Sequence, residues 1–91
     1  MIRVVWTRDR VTLQGHAENA PRGEDTVCAA VSALVFALAG ALEESGALRE
    51  LVLRPGYAMV WAQEGCEAQL SVLRCGLAQL AGKYPQCVKV E

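Results

Sequence analysis

The sequence has little of what several common protein classes require. It contains one histidine, five aromatic residues and no C-x-x-C pair among its four cysteines. A zinc site needs closely spaced Cys or His ligands, so we expect neither a metal site nor a cofactor held by such ligands. Basic charge is not in excess either, because nine Lys and Arg stand against ten Asp and Glu. The resulting net charge of −1 argues against a dedicated nucleic-acid-binding protein.

The sequence also shows no pattern typical of a signal peptide or of a membrane-spanning helix. The first ten residues mix charged and β-branched side chains, whereas a signal peptide needs a continuous apolar segment. The longest apolar run, Val27 to Leu42, is interrupted by Ser32 and Gly40 and is shorter than the ~18–20 residues of a membrane span. We therefore expect a cytoplasmic protein with no membrane partner, whose cysteines are mostly thiols.

Apolar side chains, in contrast, are abundant, at 53% of 91 residues. This length fits a single domain that covers residues 1–91. A domain of this size buries only a limited fraction of its surface, so some of the apolar residues need another place to go. A subunit interface is the simplest one, and the composition therefore predicts a homodimer.

Hydrophobic periodicity predicts seven elements in the order ββαββα(β). Alternation with period two indicates strands, and apolar residues at steps of three and four indicate helices. The predicted strands cover about 2–7, 11–16, 48–53, 57–63 and 87–90, and the predicted helices cover about 26–45 and 66–80. This order favours an α+β fold with a mostly antiparallel sheet and both helices on one face. The first helix has so few polar positions that we expect it to be covered on most sides.

The candidate catalytic residues lie around the start of the first predicted helix. His16 ends the second strand, a polar loop with Pro21 and Gly23 follows, and Asp25 is a good N-cap for a helix that places Cys28 in its first turn. Free N–H groups and the positive end of the helix dipole favour the thiolate form of a cysteine there. The same amides are candidate donors to an oxyanion. His16 is the one ordinary candidate for a general base near neutral pH.

A purely structural role remains open for each of these residues. A cysteine in an Ala-rich helix is usually an inert small hydrophobe, and Asp25 could cap the helix without orienting His16. Ser32, one turn after Cys28, could bond the thiol or the carbonyl four residues before it. The remaining cysteines, Cys66, Cys75 and Cys87, read as core or surface thiols. The aromatic residues read as core or interface residues without interleaved basic side chains; these are Trp6, Phe36, Tyr57 and Trp61.

The stretch L-Q-G-H-A from Leu13 and the stretch D-T-V-C-A-A-V-S from Asp25 resemble the ribosomal-processing cysteine protease family Prp. The resemblance extends over nearly the whole chain and includes the K-Y-P-x-x-V-K-V ending from Lys83. It implies a small dimeric cytoplasmic endopeptidase without a cofactor. By resemblance, such an enzyme removes an N-terminal extension from ribosomal protein L twenty-seven, after an apolar segment that contains Phe.

The resemblance also implies site residues. His16 and Cys28 match the catalytic dyad, Asp25 and Ser32 match supporting residues, and Gly15 and Ala17 flank the histidine. A loop that orders over the substrate corresponds to Glu18, Asn19, Ala20, Pro21, Arg22, Gly23 and Glu24. Two other readings stay open: a thiol redox module in which Cys28 is oxidised, and a non-catalytic dimer that binds the ribosome or another protein.

Overall fold

The computed structural model describes residues 1–21 and 25–91. The elements follow the predicted order, with small shifts at their ends. They are β1 Ile2–Thr7, β2 Arg10–Gln14, α1 Thr26–Glu44, β3 Leu48–Arg54, β4 Tyr57–Ala62, α2 Glu67–Lys83 and β5 Val88–Val90. His16 lies outside β2, because Gly15 takes a φ of 106° and turns the chain away from the sheet directly after Gln14.

The five strands form one mixed sheet in the order β3-β4-β2-β1-β5. Three of the four pairings are antiparallel, and only β1 with β5 is parallel, so the prediction of a mostly antiparallel sheet is confirmed. Alternate residues of the strands, including Val4, Val11 and Val60, join the helices in one continuous apolar core. Both helices lie on this face of the sheet, as predicted.

The ends of α1 follow from local sequence signals. Asp25 is the N-cap, and its side chain accepts hydrogen bonds from the N–H groups of Val27 and Cys28. At the other end, Gly46 has a φ of 71°, its N–H donates to Glu43 and the N–H of Ala47 donates to Leu42. This is the Schellman pattern, which satisfies carbonyl groups that a helix end would leave free.

The expectation that α1 is covered on most sides is wrong for the protomer. One stripe of the helix packs on the sheet and α2, but the opposite stripe is exposed, and Phe36 is 58% accessible. By length and composition alone, α1 could also cross a membrane, a test that apolar core helices of soluble proteins pass too. The exposed stripe consists of Ala29, Ala33, Phe36, Ala37, Gly40 and Ala41.

Basic side chains lie against several of these aromatic residues in the folded chain. The guanidinium groups of Arg10 and Arg49 lie 5.4 and 4.9 Å from the centre of the Trp61 ring, on the sheet face that carries no helix. On the helix side, Arg74 lies 4.2 Å from the centre of Trp6. These contacts join residues from different strands or from a strand and a helix, so sequence spacing does not reveal them.

The topology brings several chain ends together at one end of the sheet. The C-terminal end of β2 pairs with the N-terminal end of β4, while β1 begins beside the start of β5. The N–H of Gly15 donates to the carbonyl of Gly56 in the β3–β4 turn at 2.9 Å. Since α1 also begins here, the segment after β2, the β3–β4 turn and the first turn of α1 surround one region.

Candidate functional site

A cleft of about 420 Å³ opens at this end of the molecule. His16 and Cys28, which are twelve positions apart in the sequence, both line it, and Ser32 and Gly15 line it as well. The structure therefore brings these predicted site residues together. The full lining consists of Ile2, Leu13, Gly15, His16, Cys28, Val31, Ser32, Val35, Phe36, Leu53, Arg54, Pro55, Gly56, Tyr57 and Ala58.

Cys28 occupies the first turn of α1, as predicted, and its position is fixed by Asp25. One carboxylate oxygen of Asp25, Oδ1, accepts hydrogen bonds from the N–H groups of Val27 and Cys28, each at 3.0 Å. The other oxygen, Oδ2, accepts from the N–H of Asn19 at 2.9 Å. The hydrogen bond from Cys28 is the largest cause that holds the pKa of the Asp25 carboxyl below its usual 3.8; desolvation opposes it, and the N–H groups of Asn19, Ala20 and Val27 add to the lowering.

The hydrogen-bond partners of Asp25 among the described residues are all main-chain N–H groups, so the structure assigns it the capping role rather than contact with His16. This arrangement corrects the expectation that the first amides of α1 are free to hold an oxyanion. The N–H groups of Val27 and Cys28 already donate to Asp25, and that of Ala29 donates to the Asp25 carbonyl at 3.0 Å. An N-cap carboxylate and an oxyanion would compete for the same donors.

A different amide is directed at the sulfur. The main-chain N–H of Ala17 donates to Cys28 Sγ at 3.2 Å. Ala17 is buried at 2% exposure, which places this donor at the edge of the apolar core. This hydrogen bond gives the sulfur a fixed main-chain donor. The same bond holds the segment that carries His16 against the first turn of α1.

Gly15 is required for this path of the chain. Its φ of 106° lies in a region that side chains rarely adopt, and a Cβ at this position would overlap with the carbonyl oxygen of Met1. The bend directs His16 out of the sheet and into the cleft, where its side chain is exposed. Gly15 therefore shapes the site through its backbone and offers no reacting group.

Gly56 is a site residue that the sequence analysis missed. It lies in the tight turn between β3 and β4 with a φ of 73°, and a Cβ built on it would come within 3.0 Å of His16 Nε2. The R-P-G-Y pattern predicts the turn, but nothing in the sequence indicates that the turn would contact a histidine forty residues earlier.

The remaining predicted site residues have clear positions or lie outside the described residues. Ser32 is exposed and lines the cleft, and its hydroxyl makes no hydrogen bond with the described residues, so neither predicted partner is observed. Of the predicted lid, residues 18–21 are described, and Asn19 anchors this part to Asp25. Arg22, Gly23 and Glu24 lie outside the described residues.

The other cysteines show no partnership with Cys28, and all four are free thiols. Cys66 is buried at the start of α2, at the opposite end of the sheet from the cleft, and Cys75 is exposed on α2. Cys87 is buried beside Asn19, with its sulfur 4.0 Å from Asn19 Oδ1. Within 1–21 and 25–91, no three His, Cys, Asp or Glu side chains come close enough to hold a metal ion.

The walls of the cleft beyond His16 and Cys28 are mainly apolar. Val31 and Val35 form the side contributed by α1, and the half-exposed side chains of Phe36 and Leu53 lie at its rim. Exposed large apolar side chains around a groove mark a surface that binds another molecule. The site thus combines a thiol, an imidazole and a directed N–H group with a groove suited to an apolar polypeptide segment.

Comparisons with known proteins agree with one another. The model of the family described as cysteine protease Prp matches residues 1–89. A curated relative from Mycoplasma pneumoniae, named ribosomal processing cysteine protease Prp, is 35% identical over 94 residues, which cover all of this chain and 94% of that protein.

Two solved structures show the same fold. The ribosomal processing protease Prp from S. aureus, in complex with a covalently linked product peptide, has a TM-score of 0.83 at 18% identity and covers 99% of this chain and 95% of that chain. SMU.848 from Streptococcus mutans has a TM-score of 0.79 at 28% identity, and the match covers 100% of this chain and 92% of that chain.

Proposed function

Since the chain belongs to the cysteine protease Prp family, we propose that it removes the N-terminal extension of ribosomal protein L twenty-seven with a dyad of His16 and Cys28. The observation that carries this proposal is the meeting of both residues in one apolar cleft. The curated relative is named for ribosomal processing, which supports a ribosomal protein as the substrate.

In the proposed reaction, His16 accepts the proton of Cys28, and the thiolate attacks the carbonyl carbon of the scissile peptide bond. The C–N bond then breaks, His16 returns the proton to the leaving amine, and Cys28 holds the N-terminal fragment as a thioester. Water hydrolyses the thioester with His16 as the base, which regenerates the thiol. Asp25 supports this chemistry by fixing the first turn of α1 and the base of the loop, through the three hydrogen bonds described above.

The substrate segment before the cut lies in the apolar part of the cleft. Val31, Val35, Phe36 and Leu53 supply the surface for its aromatic and aliphatic side chains. The described part of the predicted lid, residues 18–21, closes over the bound segment, and exclusion of water there strengthens the electrostatic interactions of the dyad.

The enzyme works in the cytoplasm as a homodimer, without a membrane, nucleic acid or cofactor as a partner. Apart from Phe36, which lines the cleft, the exposed stripe of α1 is the surface for the second copy. It carries no charged side chain between Thr26 and Leu42, so a twofold axis can bring two identical stripes together without like charges meeting.

The function is tested on the full-length ribosomal protein, incubated with the wild-type enzyme and with single variants, by measuring intact mass. We expect one N-terminal loss with the wild type and a rate at least about 1,000-fold lower with Cys28→Ala or His16→Ala, since each removes a reacting group. Cys75→Ala is the matched control, because it removes an exposed thiol from α2 outside the cleft, and it should cleave normally.

Other outcomes would point to the alternatives. Cleavage by Cys28→Ala at the wild-type rate would contradict the dyad. No cleavage by any protein, together with a Cys28 disulfide formed under mild oxidant, would favour the redox module. Stable binding of the ribosomal protein without cleavage, unaffected by either substitution, would favour the non-catalytic dimer.

A further inference from the structure

Attack of a thiolate on a carbonyl carbon places negative charge on the carbonyl oxygen, and enzymes stabilise this charge with fixed N–H donors. The N–H of a cysteine in the first turn of a helix is one candidate donor, because the first N–H groups of a helix have no intrahelical partner. Here that group donates to Asp25 Oδ1 at 3.0 Å, and the N–H of Val27 donates to the same oxygen. The donor must therefore come from another part of the chain.

The geometry points to the main-chain N–H of Ala17 as the donor that stabilises the oxyanion during attack by Cys28. This assignment rests on the proposed role of Cys28 as the nucleophile. The N–H of Ala17 lies 3.2 Å from Cys28 Sγ before any substrate is present. In the tetrahedral intermediate, the oxygen and the sulfur are bonded to the same carbon, so an oxygen on the side of the sulfur that faces Ala17 lies within hydrogen-bond reach of that donor.

The environment of Ala17 strengthens such an interaction. The residue is 2% exposed and belongs to the apolar core, so little water competes for its N–H. Its position is set in advance by the bend at Gly15, whose own N–H is held by the Gly56 carbonyl at 2.9 Å. A donor that is already fixed needs no reorganisation when the charge develops.

The step is balanced without any other reactant. The sulfur–carbon bond forms as the π pair of the carbonyl moves to the oxygen, where the N–H of Ala17 shifts from the thiolate to the oxyanion. Collapse of the intermediate re-forms the carbonyl and expels the leaving group. With a peptide substrate the leaving group is an amine, which His16 protonates. With a p-nitrophenyl ester it is p-nitrophenolate, which needs no proton.

Two reagents separate stabilisation of the oxyanion from stabilisation of the thiolate. Iodoacetamide alkylates Cys28 by displacement of iodide, with no oxyanion, whereas p-nitrophenyl acetate acetylates it through an oxyanion. Both reagents react with the thiolate, so both rates are proportional to the fraction of Cys28 in that form. The ratio of acetylation rate to alkylation rate therefore does not depend on this fraction. The exposed thiol of Cys75 is replaced by Ser in every protein of the test, so that it does not react in the background.

The variant replaces Ala17 by L-lactic acid, which exchanges one N–H for an ester oxygen and keeps the methyl side chain. It is made by ligation of a synthetic thioester of residues 1–27 to a fragment that begins with Cys28. The matched control has the same replacement at Ala20, in the same segment, because the hydrogen bond to Cys28 Sγ comes from Ala17. The reference is the ligated protein with all amides intact.

We expect the ratio to fall about 100-fold with the ester at position 17, the size of the loss of one oxyanion donor, and to stay unchanged with the ester at position 20. An unchanged ratio with the ester at position 17 would overturn the assignment, and so would an equal fall in both esters. Neither reagent involves the ribosomal protein, so this result stands apart from whether that protein is cleaved.

A second measurement uses the recombinant protein with no change at Ala17. Cys28 and Cys75 are acetylated separately with a ¹³C-carbonyl label, in proteins where the other of the two is Ser. We expect the carbonyl stretch on Cys28 to lie at lower frequency, because a hydrogen bond from Ala17 weakens the C=O bond. Equal frequencies at the two positions would overturn the assignment.

Discussion

Asp25 joins two parts of the site with a single carboxylate. Its Oδ1 caps α1 and its Oδ2 holds Asn19, so the helix that carries Cys28 and the base of the loop after His16 share one anchor. Each bond is made to the charged form, which explains why the pKa of this carboxyl lies below 3.8. Asparagine is an equally good N-cap, but its side-chain NH₂ cannot accept a hydrogen bond from Asn19.

Asp25→Asn should therefore lower the free energy of unfolding at neutral pH while leaving the capping of α1 intact. The folded pKa of Asp25 is lowered, so its stabilising contribution is present above the unfolded pKa, near 3.8, and is lost as the pH falls through the lower folded value. Urea unfolding followed by circular dichroism at pH 7 and at pH 2 checks this. The gap between wild type and variant should shrink at the lower pH, and a gap of equal size at both would contradict the role of the charge.

At the scale of elements, the β3–β4 hairpin acts as a wall for the site. The Gly56 carbonyl in its turn accepts a hydrogen bond from the N–H of Gly15. Gly56 also lies so close to the ring of His16 that a methyl group on Gly56 would be 3.0 Å from Nε2. The hairpin is thus a positioning element, which constrains the imidazole without taking part in the reaction. Local turn chemistry requires glycine at this position for its φ of 73°, and the contact with His16 adds a second requirement.

Gly56→Ala tests the second requirement, with Gly46→Ala as the matched control. Gly46 has almost the same φ, 71°, but open space around its Cβ position, so the two variants share the backbone strain and differ in the contact with His16. We expect similar losses of thermal stability, and a loss of kcat of about 10-fold or more in Gly56→Ala alone, because small displacements of His16, the proposed general base, would be costly. Equal losses of kcat in both variants would contradict the positioning role.

At the scale of the whole molecule, the apolar composition exceeds what one core can bury. The core takes the inner stripe of α1, yet the outer stripe of small residues around Phe36 stays exposed, and Val72 of α2 is 67% accessible beside it. A helix that is apolar on all sides is normally covered on all sides. A second copy of the chain would supply that cover, and small side chains would let two α1 helices approach closely.

Ala37→Glu should convert the proposed dimer to a monomer, because it would place two like charges near each other across the twofold axis. Sedimentation velocity should give twice the protomer mass of 9.8 kDa for the wild type and 9.8 kDa for the variant. Ala78→Glu, the same change at an exposed alanine of α2, is the control and should remain dimeric. A monomeric wild type that floats with lipid vesicles would instead identify a membrane surface as the cover for the stripe.

Much of this protein follows from local sequence signals. Period-two and period-three-to-four patterns determine the strands and helices, Asp25 and Gly46 determine the ends of α1, and R-P-G-Y determines the β3–β4 turn. These features depend on neighbouring residues in the chain, so the order of elements and the position of Cys28 in the first turn of α1 could be predicted without the structure. The motifs around His16 and Cys28 also identified the family, which the family model confirms.

The tertiary structure alone decided how those residues contact one another. The approach of Gly56 to His16, the stacking of arginines on Trp61 and the exposed stripe of α1 each depend on elements far apart in the sequence. The sequence correctly placed amides at the start of α1, but only the folded chain shows that Asp25 takes them and that Ala17 directs its N–H at Cys28. A side chain chooses among competing hydrogen-bond partners according to distance in space, and that distance is set by the packing of the sheet, the hairpin and the helix.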